Sequence, residues 1–273
     1  MKVIVLVFIP FFFQPSFSQG FGDYIKENAI ETSSFHKNSD FIYESIKSKE
    51  LIMVGEMHGT NEPSQLVKML SLLILRKEDS VSVGVEISQD QINLSNWPVT
   101  DSILRKTLFF SKENEYGMNG KAWFDLALFC LQNPKINLFF FDNYKSDENR
   151  DSVMYASIVA EKLKNPIHKI ITLSGNIHNK IIPHNGQNTM GSFCYNDSVI
   201  FNSKNITSIK HEYSEGTMMN NTGNGLELRV VDFEENIYST STKSKNYLLF
   251  FKADYPYNGI YYTRKVTHSD KLK

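Results

Sequence analysis

Four apolar runs of strand length, separated by segments with helical periodicity, constrain the fold of this chain more than any other feature. The runs occupy residues 51–54, 81–85, 136–141 and 169–173. Each is almost continuously apolar, which is typical of strands that are buried on both faces of a sheet. Alternation of strands and helices implies right-handed crossovers and parallel pairing. We therefore predict an α/β fold, with a mostly parallel central sheet and helices on both of its faces.

The C-terminal part of the chain has a different character. Residues 186–225 are rich in Asn, Gly, Ser and Thr, and we predict long loops with short elements there. Three aromatic, closely spaced strand candidates follow at 226–233, 247–253 and 259–266. Their close spacing favours antiparallel hairpins. We predict that these extra C-terminal β elements lie at the edge of the main sheet.

The N-terminus has the pattern of a secretory signal peptide. A short positive start, Met1-Lys2, precedes an apolar run over 3–13, and small and polar residues follow. We predict cleavage after Ser18, so that 1–18 is a signal peptide and 19–273 a single α/β domain, with the motif-bearing core at about 49–183. The run is shorter than the ~20 residues that span a bilayer. We therefore expect an exported protein, periplasmic or secreted, with no stable membrane anchor after cleavage.

The net charge bears on the class of partner, and the cysteine content bears on disulfide formation. The chain has 29 Lys and Arg residues against 30 Asp and Glu residues, a formal net charge of −1. This balance does not favour nucleic acid as a partner. Cys130 and Cys194 are the two cysteines, and an exported protein can form a disulfide. Cys130 nevertheless lies in an apolar context that favours a free, buried thiol.

Polar side chains follow all four predicted strands. Glu56 and His58 follow the first run, Glu86 the second, Asp142 the third and His178 the fourth. Carboxyl ends of parallel strands meet at one edge of a sheet, so we expect these groups to line a single crevice. Imidazoles and carboxylates together bind a divalent metal, or activate water without one. Glu56, His58, Glu86 and His178 are therefore the predicted catalytic residues and the possible metal ligands.

Three further residues are candidates for contact with a substrate. Arg150 begins a predicted helix and could hold a carboxylate of the crevice or an anionic substrate. Asp142 and Asn176 are predicted to lie at the same edge. We interpret Asp151 as a residue that favours the helix dipole, and Trp123 as a pocket wall or a packing residue. The sequence has no GxSxG, Walker, GxGxxG, HExxH or CxxC motif, which argues against the enzyme classes that use them.

The motif order resembles the erythromycin esterase, ChaN-like and TIKI superfamily. The resemblance lies in Gly-Glu-Met-His-Gly-Thr-Asn-Glu at 55–62, Gly-Val-Glu at 84–86, Arg-Asp-Ser-Val-Met at 150–154 and Gly-Asn-Ile-His at 175–178. It implies an α/β fold with Glu56, His58, Glu86 and His178 as the site. Erythromycin esterases hydrolyse a macrolide lactone with a histidine that activates water. TIKI-type members are metal-dependent proteases, and ChaN-type members bind haem.

Three functional hypotheses follow. The first is an exported hydrolase of ester, lactone or amide bonds, acting on a small molecule or a peptide. In it His58, oriented by Glu56 or Glu86, activates water, and His178 polarises the carbonyl or helps to hold Mn, Zn, Co or Fe. The second is a haem- or iron-binding uptake protein, in which Met53 and Met57 lie near the histidines. The third is a non-catalytic binding scaffold with an inherited pocket.

Overall fold

The computed structural model describes residues 15–92, 100–111, 118–143, 149–221, 225–232, 237–243, 246–251 and 255–272. The helices are α1 (Pro15–Asn28), α2 (Phe35–Ile46), α3 (Glu62–Lys77), α4 (Asp101–Arg105), α5 (Leu108–Ser111), α6 (Lys121–Leu131), α7 (Arg150–Lys164), α8 (Met190–Asn196) and α9 (Ile237–Thr240). The strands are β1 (Ile30–Glu31), β2 (Leu51–Glu56), β3 (Val81–Ser88), β4 (Ile136–Asp142), β5 (Lys169–Gly175), β6 (Ile206–Asn221), β7 (Leu226–Asp232), β8 (Asn246–Phe250) and β9 (Gly259–Val266).

The described strands form one mixed sheet that is mostly parallel. Its order is β1-β8-β9-β6-β2-β5-β3-β4, with β7 paired to β6. The pairs of β2 with β5 and β6, of β3 with β4 and β5, and of β6 with β9 are parallel. β8 pairs antiparallel with β9 and with β1, and β7 pairs antiparallel with β6. The predicted parallel sheet with C-terminal β elements toward one edge is confirmed.

Helices cover both faces of the sheet, as predicted. On one face, residues of α2, α3 and α6 pack with β2 and β3, and Leu70 and Val83 belong to this cluster. On the other face, α7 and α8 pack with β2 and β5, and Met154 belongs to that cluster. Cys130 and Cys194 are free, buried thiols in these two different clusters. The sheet therefore lies between two apolar layers, and the polar side chains of interest lie at the ends of its strands.

The segment at 186–225 corrects the sequence analysis. We predicted long loops, but β6 is a strand of 16 residues that lies between β2 and β9. Small polar residues of β6 are buried because they have hydrogen-bond partners elsewhere in the chain. Ser208 Oγ, for example, donates to the carbonyl of Asn179. Such long-range partners compensate for the weak apolar pattern that hid this strand.

The N-terminal prediction lies mostly outside the described residues. Of the predicted signal peptide, residues 1–14 are outside them, and the predicted cleavage position after Ser18 falls within α1. Export thus stays a prediction. Among the described residues, no helix has both the length and the apolar character that crossing a bilayer requires.

Candidate functional site

A histidine held by a buried carboxylate lies at the end of β2. Glu56 is the last residue of the strand, and its Oε1 lies 2.7 Å from Nδ1 of His58. Its second oxygen, Oε2, accepts a hydrogen bond of 2.9 Å from Nε1 of Trp123 in α6. The carboxylate is fully buried, whereas the His58 side chain is 27% exposed. Because Nδ1 faces the carboxylate, Nε2 is the ring nitrogen that is left to meet a substrate or water.

A second histidine is held in the same way at the end of β5. Nδ1 of His178 lies 2.8 Å from Oδ1 of Asp151, the second residue of α7. The same oxygen accepts a hydrogen bond of 2.7 Å from the backbone N–H of Met190, at the start of α8. Asp151 is therefore more than a helix-dipole residue, because it orients His178. The signal for Asp151 in the sequence is its place directly after Arg150, which the sequence analysis names as a site residue.

Gly175 lets the two imidazoles come together. A Cβ on this residue would lie 3.1 Å from Nε2 of His58 and 3.7 Å from Cδ2 of His178. The missing side chain thus leaves the space between the two rings open. The backbone N–H of Gly175 donates to Oε2 of Glu86 over 2.7 Å, which ties β5 to β3 at this level. Glu56, His58, Glu86 and His178 thus lie close together, as the strand ends predicted.

Arg150 joins two carboxylates, Glu86 of β3 and Asp142 of β4, which are the last two strands at one end of the sheet. Its Nε donates to Oδ1 of Asp142 (2.8 Å), and its Nη2 donates to Oδ2 of Asp142 (2.9 Å) and to Oε1 of Glu86 (2.5 Å). Its Nη1 lies 3.5 Å from Nε2 of His178. Both carboxylates are buried, whereas the Arg150 side chain is 39% exposed. Asp142 therefore orients Arg150, and Arg150 is the member of this group that is open to a substrate.

The charges around the imidazoles favour their protonated forms. Burial lowers the pKa of His58, but the hydrogen bond to Glu56 and the charges of Glu56 and Glu86 outweigh it and raise the pKa above 6.5. For His178, burial again lowers the pKa, while Asp151 and Glu86 raise it above the ordinary value. Arg150 opposes both increases, since it is a fixed positive charge beside the rings. Both histidines of the site therefore have a pKa above the ordinary value of a histidine.

The arrangement does not fit a divalent metal ion at the predicted ligands. The guanidinium of Arg150 binds Glu86 and Asp142 and lies beside His178, so a cation there would meet a fixed positive charge. Among the described residues, no three His, Cys, Asp or Glu side chains are grouped so that they could hold an ion. A metal ion at these residues stays a prediction.

Asn176 does not point its amide into this group. Its Nδ2 donates to the carbonyl of His211 (3.3 Å), and its Oδ1 accepts from the His211 backbone N–H (3.1 Å), so the side chain pairs with β6. A Cβ on Gly55 would come within 2.3 Å of that Oδ1, so glycine is required there. The amide is already engaged, which argues against the predicted substrate contact. Asn176 instead joins β5 to β6 beneath the site.

Of the residues suggested for haem, Met53 is not placed where it could bind iron. Met53 is fully buried in the apolar cluster that α7 and α8 cover, whereas Met57 is partly exposed. Nδ1 of each site histidine already faces a carboxylate. Met53 would reach an iron atom only if the packed core opened. Its burial therefore argues against Met53 as an iron ligand. Haem binding through the histidines stays a prediction.

The fold and the site define an α/β protein with two carboxylate-held histidines at adjacent ends of parallel strands. No protein-family model matches the sequence, and no curated protein matches it. Solved structures share the fold. A Bacillus cereus protein has a TM-score of 0.65 at 10% identity, covering 94% of this chain and 99% of its own. A succinoglycan biosynthesis protein gives 0.62 at 12% identity, over 94% and 99%. A mutant of the erythromycin esterase EreC, in its open conformation, gives 0.60 at 11% identity, over 90% and 98%.

Proposed function

We propose that this protein hydrolyses ester, lactone or amide bonds, with His58 as the general base. The observation that carries the proposal is the 2.7 Å contact between Nδ1 of His58 and the buried Glu56, beside His178 and the exposed part of Arg150. A carboxylate on Nδ1 fixes the tautomer whose Nε2 accepts a proton, and it stabilises the imidazolium that forms. A general base held in this way typically contributes about 10²–10⁴-fold to a rate.

Arg150 and protonated His178 have distinct roles in the proposal. Water gives a proton to Nε2 of His58 while its oxygen attacks the carbonyl carbon of the substrate. The negative charge that develops on the carbonyl oxygen is stabilised by Arg150, whose Nη1, within the described part of the chain, lacks the carboxylate contacts that Nε and Nη2 make. Protonated His178 donates to the leaving oxygen or nitrogen, and solvent then restores both histidines to their starting states.

The likeness to EreC supports this reaction class by fold. EreC is named as an erythromycin esterase, and it shares the fold with this chain over 90% of the chain. At 11% identity the likeness concerns the fold, so the reaction rests on the residues of the site. Membership of the erythromycin esterase, ChaN-like and TIKI superfamily is accordingly part of the proposal, and so are the small-molecule or peptide substrate and the exported location.

Turnover assays test the proposal directly. The protein would be incubated with aryl and alkyl esters, macrolide and simple lactones, and a peptide library. Each reaction would be run in EDTA and with added Mn²⁺, Zn²⁺ or Co²⁺, with His58→Ala as the background. Hydrolysis of one bond class that His58→Ala loses would support the proposal. Folded protein without turnover in any condition would overturn it and leave the binding-scaffold hypothesis.

A further inference from the structure

The segment that follows β9, residues 267–270, contacts two elements that carry the site. It lies between the loop after β2, which carries His58, and the start of α6, which carries Trp123. No motif in the sequence marked this segment. Both elements depend on it for backbone hydrogen bonds.

The loop after β2 is tied to this segment at successive positions. The backbone N–H of Ser269 donates to the carbonyl of Gly59 over 2.8 Å. The backbone N–H of Asn61 donates to the carbonyl of Thr267 over 3.0 Å, and its side-chain amide donates to the carbonyl of His268 over 2.8 Å. Gly59, directly after His58, has a φ of +85°, and a Cβ there would lie 1.7 Å from the carbonyl oxygen of Met219. The course of the loop after β2 is therefore fixed by contacts with segments that are distant in sequence.

The same segment caps α6. Gly120 precedes the helix and has no side chain with which to cap it. Ser269 Oγ accepts from the backbone N–H of Ala122 over 2.9 Å, and the carbonyl of Asp270 accepts from the N–H of Lys121 over 2.7 Å. Two N–H groups that a helix start leaves open are thus satisfied by a segment distant in sequence. A Cβ on Gly120 would lie 2.4 Å from Ser269 Oγ, so this contact requires glycine.

We propose that Ser269 is a positioning residue for the Glu56–His58 pair. Its N–H holds Gly59, the residue after His58, and its Oγ holds Ala122, the residue before Trp123. Trp123 in turn donates to Glu56. The hydroxyl of this buried serine thereby ties the start of α6, which carries Trp123, to the segment whose backbone holds the loop of His58. The carbonyl of Gly59 also accepts from the N–H of Met219, so the serine hydroxyl acts on the α6 side of the pair. The consequence for rate rests on the proposed function, whereas the consequence for geometry does not.

NMR of a Ser269→Ala variant tests the geometry without any substrate. The charged groups that act on His58 are Glu56 on β2, Glu86 on β3 and Arg150 on α7, with His178 across Gly175. The variant keeps all of them, so a changed His58 titration reports a moved pair. We expect the pKa of His58 to fall toward 6.5, since its contact with Glu56 loosens. The indole N–H resonance of Trp123 should move upfield as its hydrogen bond lengthens.

Ser82→Ala is the matched control. Ser82 is also fully buried, and its Oγ contacts Glu161 and His168 near the start of β3, away from the site. Its loss should lower the melting temperature and leave the His58 titration and the Trp123 resonance unchanged. Ser269→Thr retains the hydroxyl and should restore both signals toward the wild-type values. A Ser269→Ala variant that loses stability as Ser82→Ala does, with both signals unchanged, would overturn the proposal.

A second variant and a kinetic measurement also test the proposal. If Ser269→Ala does not fold, Gly120→Ala gives the same test, because its new Cβ displaces Ser269 Oγ; unchanged signals in it would also overturn the positioning role. In turnover assays we expect kcat to fall about tenfold with KM little changed, as a misaligned general base would produce. Changed NMR signals in a protein without turnover would uphold the positioning role and reject the proposed hydrolase.

Discussion

The indole N–H of Trp123 donates to Oε2 of Glu56 over 2.9 Å, while the other oxygen of that carboxylate contacts His58. Each oxygen of this buried carboxylate therefore has a partner, which a buried charge requires. Hydrogen bonds to charged groups contribute more to stability than those between neutral groups. Trp123 thus prevents the carboxylate from rotating away from the imidazole, and this has a measurable consequence.

Trp123→Phe should weaken the Glu56–His58 pair while keeping most of the packing. We expect a loss of about 1.5–3 kcal/mol in the free energy of unfolding, the usual contribution of a hydrogen bond to a charged group. Turnover should fall less than in Glu56→Gln, because the carboxylate itself remains. Denaturant unfolding and steady-state kinetics of the two variants would measure this. Equal stability of Trp123→Phe and wild type would show that the indole hydrogen bond does not stabilise the fold.

His58→Ala should lower turnover by about 10²–10⁴-fold, the usual effect of losing a general base. The substitution also leaves Oε1 of the buried Glu56 carboxylate without its partner, so we expect a lower melting temperature in a variant that still folds. The matched control is His36→Ala, which removes an exposed histidine of α2. Retained activity in His58→Ala would reject this residue as the base, and a loss in both variants would point to a general effect of the substitutions.

The pH dependence should reflect the raised pKa of His58. The base acts in its neutral form and His178 in its protonated form, so kcat/KM should rise with pH through a midpoint above 6.5 and fall again as His178 loses its proton. The effect on stability has the opposite sign. A pKa that folding raises stabilises the fold below about pH 6.5, and this contribution is lost as pH rises through the folded-state pKa. Kinetic profiles and thermal melts from pH 5 to pH 9 would measure both, and a midpoint below 6.5 would contradict the assignment.

Replacing Arg150 should change the response to metals. In the wild type we expect activity to survive EDTA. Arg150→Met leaves Glu86 and Asp142 buried without their cation, so it should cost about 3 kcal/mol in the free energy of unfolding. It should also bind Mn²⁺ or Zn²⁺ more tightly than the wild type, as calorimetry would detect. Arg105→Met removes a half-buried arginine of α4 that is paired with Asp101, and it serves as the control. Loss of wild-type activity in EDTA would restore the metal prediction.

Asn176→Ala should affect stability and leave substrate affinity alone. The side chain pairs with the backbone of His211, and its removal leaves those groups without a partner. A loss of about 1–3 kcal/mol is expected for such an unsatisfied group. Asn38→Ala, which removes an exposed amide bound to the carbonyl of Glu31, is the control. A higher KM with unchanged stability would instead support the substrate contact predicted from the sequence.

The sequence by itself determined four of the parallel strands, β2, β3, β4 and β5, and the polar residues at their ends. Continuous apolar runs are local signals, and β2, β3, β4 and β5 begin at the predicted residues. Each strand extends one to three residues beyond the predicted run, so Glu56, Glu86 and Asp142 lie within strands instead of after them. Because parallel strands end at one edge, the convergence of these side chains followed from topology alone.

The tertiary structure decided which groups hold the histidines. Trp123 lies 67 residues from Glu56 in sequence, and Asp151 lies 27 residues from His178. Ser269 lies 147 residues from Ala122, the backbone group that it caps. β6 was hidden for the same reason, since its buried polar residues depend on partners elsewhere in the chain. Periodicity records which face of an element is apolar, but a hydrogen bond between distant segments leaves no periodic trace, and it forms only when the fold brings its donor and acceptor together.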